Sequence, residues 1–117
     1  MFDEYSCFDV KFDGGVATVT MSRGDQLNTM VPEFWDELPA LIGEIDAAGE
    51  VRVVVLASTG RHFSDGMDLA VFSGAGFKPD APQSVIGSNM RANVLHLQDT
   101  FSALEKSRLP VLAALQG

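Results

Sequence analysis

Residues 61–69 carry the pattern in this chain that best suits chemistry, Arg-His-Phe-Ser-Asp-Gly-Met-Asp-Leu. A buried strand is predicted to end near Ser58, and its connection leads through Gly66 to a helix predicted to begin at about Asp68. Ligands of parallel α/β sheets collect at the carboxyl ends of strands, and a helix N-terminus offers unpaired N–H groups to an anion or oxyanion. We therefore predict that the Met67 main-chain N–H donates to an oxyanion. The alternative is an ordinary glycine turn in which Asp68 caps a helix.

The other titratable side chains suggest no second site. General acid–base catalysis needs carboxylates held in position, and the acids of the first predicted helix are expected on its solvent-facing side. These acids are Glu33, Asp36, Glu37 and Glu44. His62 and His96 stand far apart and in no metal-ligand spacing, so we expect no metal site.

Composition excludes several classes of protein. The chain has 117 residues, 46% hydrophobic and 21% charged, which is typical of one small globular domain. Its 16 acidic and 8 basic residues give a net charge of -8, so we expect no nucleic-acid partner. The longest apolar run, residues 109–115, is far below the roughly 20 residues needed to span a membrane. The first residues resemble no signal peptide, and the single cysteine, Cys7, is expected in the core; we predict a cytoplasmic protein.

Two strands are predicted at the start of the chain. Residues 6–13 and 16–21 are rich in apolar residues at alternating positions, which is typical of half-buried strands. Gly14 and Gly15 lie between them and tolerate positive φ, so a hairpin is expected.

A helix is predicted to follow. Pro32 suits its first turn, and Gly49 suits its end. Its apolar stripe is Phe34, Leu38, Leu41 and Ile45. Pro39 lies inside this stripe, so a kink or a helix in two pieces is expected.

The rest of the chain alternates between strands and helices. Residues 51–57 read as a strand buried on both faces, residues 58–66 as a polar connection and residues 73–87 as a surface loop. A second helix is predicted over residues 88–106 and a buried strand over residues 109–115. Strand–helix–strand units of this kind predict an α/β protein with parallel pairing.

Residues 61–69 resemble the signature of the crotonase superfamily, also called the enoyl-CoA hydratase/isomerase family. In that signature an aromatic and a small residue precede a glycine, a variable residue, an aspartate and an aliphatic residue. Residues 16–28 are similar to the family's first hairpin strand and turn, residues 51–58 to the strand before its oxyanion loop, and residues 109–117 to the strand leading into its second glycine-rich loop. The resemblance covers almost the whole chain and is nearest to the dienoyl-CoA and enoyl-CoA isomerase branch.

The resemblance implies a fold and a reaction. The fold would be a crotonase-like (ClpP/crotonase) spiral of ββα units, with residues 1–117 the N-terminal part of a single domain truncated after Gly117. The substrate would be an acyl-CoA thioester, with no separate cofactor because coenzyme A is part of the substrate. The reaction would be hydration or double-bond isomerisation of an enoyl-CoA through a thioester enolate. Assembly into homotrimers or hexamers is implied as well.

The resemblance also implies site residues. The family's first oxyanion-hole N–H matches Met67. Two residues of the first turn would lie along the coenzyme A chain, and the others would frame the acyl group. The implied set is Gln26, Leu27, Asp65, Gly66, Met67, Asp68 and Leu69. Arg61, with Arg23 and Arg52, could offset the acidic charge for the coenzyme A phosphates.

The chain departs from the family pattern in two places. Asp65 replaces a small residue, so its carboxylate must point away, be paired or take a variant role. Gly24 and Asp25 replace the common proline after Arg23, which is expected to loosen that turn. The family's second oxyanion N–H and its acid–base residues match positions past Gly117, so the chain alone is expected to be inactive. The alternative is a non-catalytic module that binds acyl-CoA or pairs with a partner.

Overall fold

The computed structural model describes residues 5–69 and 83–117 of the chain. Within them the order is β1 (Phe8–Asp13), β2 (Val16–Met21), α1 (Pro32–Ala48), β3 (Val53–Ser58), α2 (Gln83–Lys106) and β4 (Val111–Ala113). A short 3-10 helix, Gly24–Gln26, lies between β2 and α1. The α/β order predicted from the sequence is confirmed.

The four strands form one sheet in the order β1-β2-β3-β4. β1 and β2 are an antiparallel hairpin in which Asp13 faces Val16, and Gly14 and Gly15 turn with φ of 56° and 87°. β3 pairs in parallel with β2 on one side and with β4 on the other. The predicted hairpin and parallel pairing are therefore confirmed, although β1, β3 and β4 each begin two residues later than predicted.

One face of the sheet packs against α1. The side chains of β2 alternate, with Ala17, Val19 and Met21 buried, as the pleat requires. Cys7 and Phe8 lie in the same core, and burial raises the pKa of the Cys7 thiol. The other members of the core are Phe34, Trp35, Leu38, Leu41, Ile42, Ile45, Val51, Val54 and Leu109.

The prediction of buried strands was wrong for β3 and β4. In β3 only Val54 is fully buried, and in β4 Leu112 is 59% exposed. The periodicity of an apolar run cannot distinguish one covered face from two. Among the described residues, α1 covers one face of this sheet.

α1 is one continuous helix, which excludes a helix in two pieces and leaves the kink at Pro39 as a prediction. Pro39 has no N–H to donate to the Trp35 carbonyl four residues earlier. The Thr100 hydroxyl, fully buried on α2, donates to that carbonyl instead at 2.8 Å. α1 begins with Pro32 and ends at Gly49, whose φ is 77°, as predicted.

Two acids of α1 were wrongly assigned to its solvent-facing side. Glu37 accepts hydrogen bonds from the Ser6 N–H, the Ser6 hydroxyl and the Cys7 N–H at 3.1, 2.6 and 3.0 Å. Glu44 accepts one from the Tyr5 hydroxyl at 2.7 Å. Both satisfy polar groups just before β1, a role that helical periodicity does not reveal. Glu33 and Asp36 are exposed as predicted.

α2 begins at Gln83, so the predicted surface loop over residues 73–87 was wrong for residues 83–87. The rest of that loop, and the helix predicted to continue from Asp68, fall within residues 70–82, outside the described residues. Leu97 and Leu104 pack against the core, and the Phe101 ring lies edge-on to Trp35 with 5.2 Å between ring centroids. No helix among residues 5–69 and 83–117 is long and apolar enough to cross a membrane.

Candidate functional site

The ends of β2 and β3 bring together the two segments that hold the predicted site residues. Met21 faces Ser58 in the parallel register, so the turn after β2 and the connection after β3 leave the same edge of the sheet. We call these segments the first turn (residues 22–30) and the site loop (residues 59–69). Thr59 joins them, because its N–H donates to the Met21 carbonyl at 3.0 Å and its hydroxyl accepts from the Gly24 N–H at 3.1 Å.

Two glycines lie where the segments touch. A Cβ at Gly24 would lie 2.7 Å from the Thr59 hydroxyl oxygen, and one at Gly60 would lie 2.9 Å from the Gly24 Cα. Gly60 also has a φ of 85°. Gly24 permits this close contact, and Gly24–Gln26 forms a 3-10 helix. The expected loosening of the first turn stays a prediction.

Met67 is fixed by an isolated parallel bridge to Met30. The Met30 N–H donates to the Gly66 carbonyl at 2.8 Å, and the Asp68 N–H donates to the Met30 carbonyl at 3.0 Å. In a parallel bridge these flanking groups bond to the partner, so the N–H of Met67 itself points to the opposite side. Gly66 has a φ of 90°, which favours glycine.

Among the described residues, hydrogen bonds engage the N–H groups on either side of Met67 but not its own. The Asp65 N–H donates to the Leu27 carbonyl at 3.0 Å, and the Gly66 N–H donates to the Ser64 hydroxyl at 3.1 Å. The Asp68 N–H is bonded to Met30. Within residues 5–69 and 83–117, the Met67 N–H has no hydrogen-bond acceptor. A single directed donor between bonded neighbours is suited to a ligand oxygen.

The predicted substrate residues lie on these two adjoining segments. Gln26 and Leu27 are exposed on the first turn, and Leu27 has a φ of 61°. On the site loop Asp65 is exposed and Leu69 is 81% exposed. An exposed carboxylate is screened by water, so Asp65 fits the possibility that its side chain points away. Which of these residues touch a substrate stays a prediction.

Sequence reasoning missed three polar residues that support the loop. Asn28 is buried and bonds main-chain groups of both segments. The Ser64 hydroxyl donates to the Asn28 carbonyl at 2.8 Å. Gln116, just after β4, donates from Nε2 to the Ser58 hydroxyl at 2.8 Å. The only sequence signal for Asn28 was its place in the family-like turn, and the other two residues gave none.

The arginines are not gathered at one place. Arg23 lies in a depression of about 360 Å³ formed with Ser22, Gly24, Asp25, Gln26, Thr59 and Gly60. Its Nε is buried without an acceptor among the described residues. Arg61 is exposed on the site loop. The inclusion of Arg52 was wrong, because its N–H donates to the Gly15 carbonyl at the opposite end of the strands.

Comparisons with known proteins show the family to which the chain belongs. The family model described as enoyl-CoA hydratase/isomerase matches residues 11–117. A peroxisomal Delta(3,5)-Delta(2,4)-dienoyl-CoA isomerase of Arabidopsis thaliana is 27% identical, over 90% of this chain and 38% of its own length. A protein of Mycobacterium tuberculosis named as a probable enoyl-CoA hydratase is 29% identical, over 97% of this chain and 41% of its own length.

A solved structure gives the same fold. The crystal structure of an enoyl-CoA hydratase from Shewanella pealeana superposes with a TM-score of 0.82 at 20% identity, covering 99% of this chain and 41% of its own. The chain thus spans about 40% of the length of these proteins. It belongs to the enoyl-CoA hydratase/isomerase family, and its described elements are an N-terminal portion of the crotonase fold.

Proposed function

We propose that the protein is an acyl-CoA enzyme of the enoyl-CoA hydratase/isomerase type, in which the Met67 N–H is one donor of an oxyanion hole. The observation that carries this function is the directed Met67 N–H, which lacks an acceptor among the described residues while the N–H groups of Asp65, Gly66 and Asp68 are bonded. Relatives named as dienoyl-CoA isomerase and probable enoyl-CoA hydratase support the substrate class.

The chemistry follows from where charge develops. In hydration the water oxygen bonds to C3 of a trans-2-enoyl-CoA and a proton is added at C2. In isomerisation a proton leaves one carbon and is returned to another as the double bond moves. Both routes place negative charge on the thioester oxygen, and losing one preorganised donor to such an oxygen costs about 2.7–4 kcal/mol of transition-state stabilisation. The Met67 N–H supplies that donor.

The same two segments would hold the substrate. The coenzyme A chain lies along Gln26 and Leu27 on the first turn, and the acyl group lies beside Gly66, Asp68 and Leu69. No separate cofactor takes part, because coenzyme A belongs to the substrate. The acid–base residues belong to the portion of the family's length that this chain does not span, so residues 1–117 alone do not turn substrate over.

Turnover by the whole protein tests this function. We expect trans-2-enoyl-CoA to lose its conjugated absorbance on hydration, or a 3,5-dienoyl-CoA to gain the absorbance of a conjugated 2,4-dienoyl thioester. The matched control is a thioether analogue, which has no carbonyl oxygen and should not react. Absence of both turnover and acyl-CoA binding would contradict the proposal. Tight binding without turnover of either substrate would favour the non-catalytic module instead.

The role of Met67 has its own test. With 15N-methionine labelling of the whole protein, we expect the Met67 amide proton to move downfield on adding an unreactive acyl-CoA, because it gains the thioester carbonyl oxygen as an acceptor. The matched control is Met30, whose N–H is already bonded to the Gly66 carbonyl at 2.8 Å. Equal shifts with acyl-CoA and with free coenzyme A would exclude a hydrogen bond to the thioester oxygen.

Location and assembly are also proposed. We propose that the protein is cytoplasmic, because its single cysteine is a buried free thiol, which suits a reducing compartment. The Arabidopsis thaliana relative is named as peroxisomal. Imaging of the tagged whole protein distinguishes a cytoplasmic from a peroxisomal location.

We also propose that the whole protein assembles into a homotrimer or hexamer. The support is a group of exposed apolar side chains on α2, namely Met90, Val94, Leu95 and Phe101. Native mass spectrometry of the whole protein would contradict this by showing a monomer.

A further inference from the structure

We propose that Asn28 is a positioning residue that sets the direction of the Met67 N–H, an inference that rests on the proposed function. Asn28 is 3% exposed. Its Oδ1 accepts from the Arg23 N–H at 3.0 Å, and its Nδ2 donates to the Thr59 and His62 carbonyls at 2.7 and 3.2 Å. One side chain therefore connects the first turn to the site loop at both Thr59 and His62.

The three partners define how the carboxamide must be oriented. A carboxamide has one acceptor oxygen and two N–H donors. Here one partner is a donor and two are acceptors, so turning the amide over would oppose like groups at every contact. The backbone adds a second requirement, since Asn28 has a φ of 50°, a region that asparagine tolerates better than most residues.

A continuous set of hydrogen bonds leads from Asn28 to Met67. The Asn28 carbonyl accepts from the Ser64 hydroxyl at 2.8 Å, and that hydroxyl accepts from the Gly66 N–H at 3.1 Å. Two residues after Asn28, Met30 bonds the Gly66 carbonyl and the Asp68 N–H. Both neighbours of Met67 are thus fixed to the segment that Asn28 anchors, and a 1 Å misplacement of a reacting group can cost about 100-fold in rate.

Asn28 acts through these contacts and not on substrate. Its carboxamide is buried, and both its oxygen and its nitrogen bond to main-chain groups. The first turn also has bonds of its own, because the Gln26 and Asn28 N–H groups both donate to the Arg23 carbonyl at 2.9 Å. Loss of the two Nδ2 bonds should therefore disturb the site loop more than the surface along which coenzyme A is proposed to lie.

The test is Asn28→Asp in the whole protein. This variant keeps the acceptor for the Arg23 N–H and a side chain suited to positive φ, but it sets a carboxylate oxygen against the Thr59 and His62 carbonyls. We expect kcat to fall by about 100-fold with little change in KM. The infrared band of a 13C-labelled thioester carbonyl, lowered in frequency by the wild-type site, should return toward its value in water. Asn89→Asp makes the same chemical change at an exposed position of α2 and should leave all three quantities unchanged.

A second variant guards against loss of folding. Ser64→Ala removes the link between the Asn28 carbonyl and the Gly66 N–H and leaves the Asn28 side chain intact. We expect a smaller fall in kcat with the same carbonyl signature and an unchanged KM. Wild-type kcat and carbonyl frequency in folded Asn28→Asp, or in Ser64→Ala if Asn28→Asp does not fold, would overturn the inference. If the wild type itself neither reacts nor lowers the carbonyl frequency, the proposed function has failed.

Discussion

Met30 and Met67 are joined by an isolated parallel bridge in which Met30 uses its N–H and its carbonyl, while the Met67 N–H is directed away from it. The bridge lies outside the four-stranded sheet, and it sets the direction of a main-chain donor. Among the described residues, the Met67 N–H therefore has no acceptor, whereas the N–H groups of Gly66 and Asp68 are bonded.

Gly66→Ala is expected to lower both the stability and the activity of the protein. A Cβ at Gly66 has no described atom within 4 Å, so its cost is the positive φ, about 1–2 kcal/mol. The strained backbone would turn the adjacent Met67 N–H, and kcat/KM should fall by about tenfold or more, which is 1.4 kcal/mol. Steady-state kinetics and thermal melts of the whole protein measure both quantities. The control is Gly43→Ala, equally uncrowded in α1, which should raise stability by up to about 1 kcal/mol; unchanged kinetics in Gly66→Ala would contradict the expectation.

Gly60→Ala tests the close contact between the first turn and the site loop. Gly14 and Gly60 both have a positive φ, 56° and 85°, which an alanine tolerates poorly. A Cβ at Gly14 would have no neighbour within 4 Å, whereas a Cβ at Gly60 would lie 2.9 Å from the Gly24 Cα. Overpacking adds about 1–3 kcal/mol, so Gly60→Ala should destabilise the protein by more than Gly14→Ala does. Denaturant titration of the two variants gives the difference, and equal losses would show that the backbones do not touch in solution.

Thr100 and Pro39 should be energetically coupled through the Trp35 carbonyl. Thr100→Val removes the hydroxyl bonded to it at 2.8 Å and leaves a buried acceptor unpaired, which costs about 1–3 kcal/mol. In the background of Pro39→Ala the restored main-chain N–H can take over, and Thr100→Val should then cost less. A double-mutant cycle of unfolding free energies measures the coupling. Additive losses would mean that the threonine does not replace the bond that Pro39 lacks.

Glu37→Ala should destabilise the protein by about 1–3 kcal/mol, because it leaves the N–H group of buried Cys7 without its acceptor. Glu33→Ala changes an exposed acid on the same helix and should stay within about 0.5 kcal/mol of the wild type. Chemical denaturation compares the two. If the two variants lost the same unfolding free energy, Glu37 would be a solvent-facing acid, as expected from the sequence.

The buried thiol of Cys7 gives a pH dependence with a definite sign. Burial raises its pKa above the ordinary 9.0, so the folded state resists forming the thiolate. The unfolded chain forms the thiolate at lower pH than the folded protein does. The stability contributed by the neutral, buried thiol is therefore fully present below about pH 9 and is lost as the pH rises through the raised pKa. The melting temperature should therefore fall more steeply above pH 9 in the wild type than in Cys7→Ala. Parallel slopes across that range would show that the thiol titrates normally.

Periodicity and turn chemistry predicted the strands, the hairpin and both ends of α1, because these depend on local alternation and on Gly14, Gly15, Pro32 and Gly49. These local patterns gave wrong predictions where the environment of a residue depends on a contact that is distant in sequence. Glu37 looks solvent-facing until β1 lies beside it, and Pro39 looks disruptive until Thr100 reaches the Trp35 carbonyl.

The candidate site divides in the same way. Residues 61–69 were recognised from sequence because their order is specific to the family. The supports of that loop were not, because Asn28, Ser64 and Gln116 are defined by contacts and carry no motif. The sequence pattern identifies the Met67 N–H as a candidate donor. The contacts that orient it become visible only in the folded structure.

The contact between Gln116 and Ser58 has a consequence for the timing of folding. Its partners are 58 residues apart, and those of the Ser64–Asn28 bond are 36 apart. Contacts of such long range form slowly, and a nascent chain that has not yet released Gln116 from the ribosome cannot make the contact between Gln116 and Ser58. The β1–β2 hairpin can form early in synthesis, whereas Gln116 can bond to Ser58 at the end of β3 only after the chain through β4 has been made.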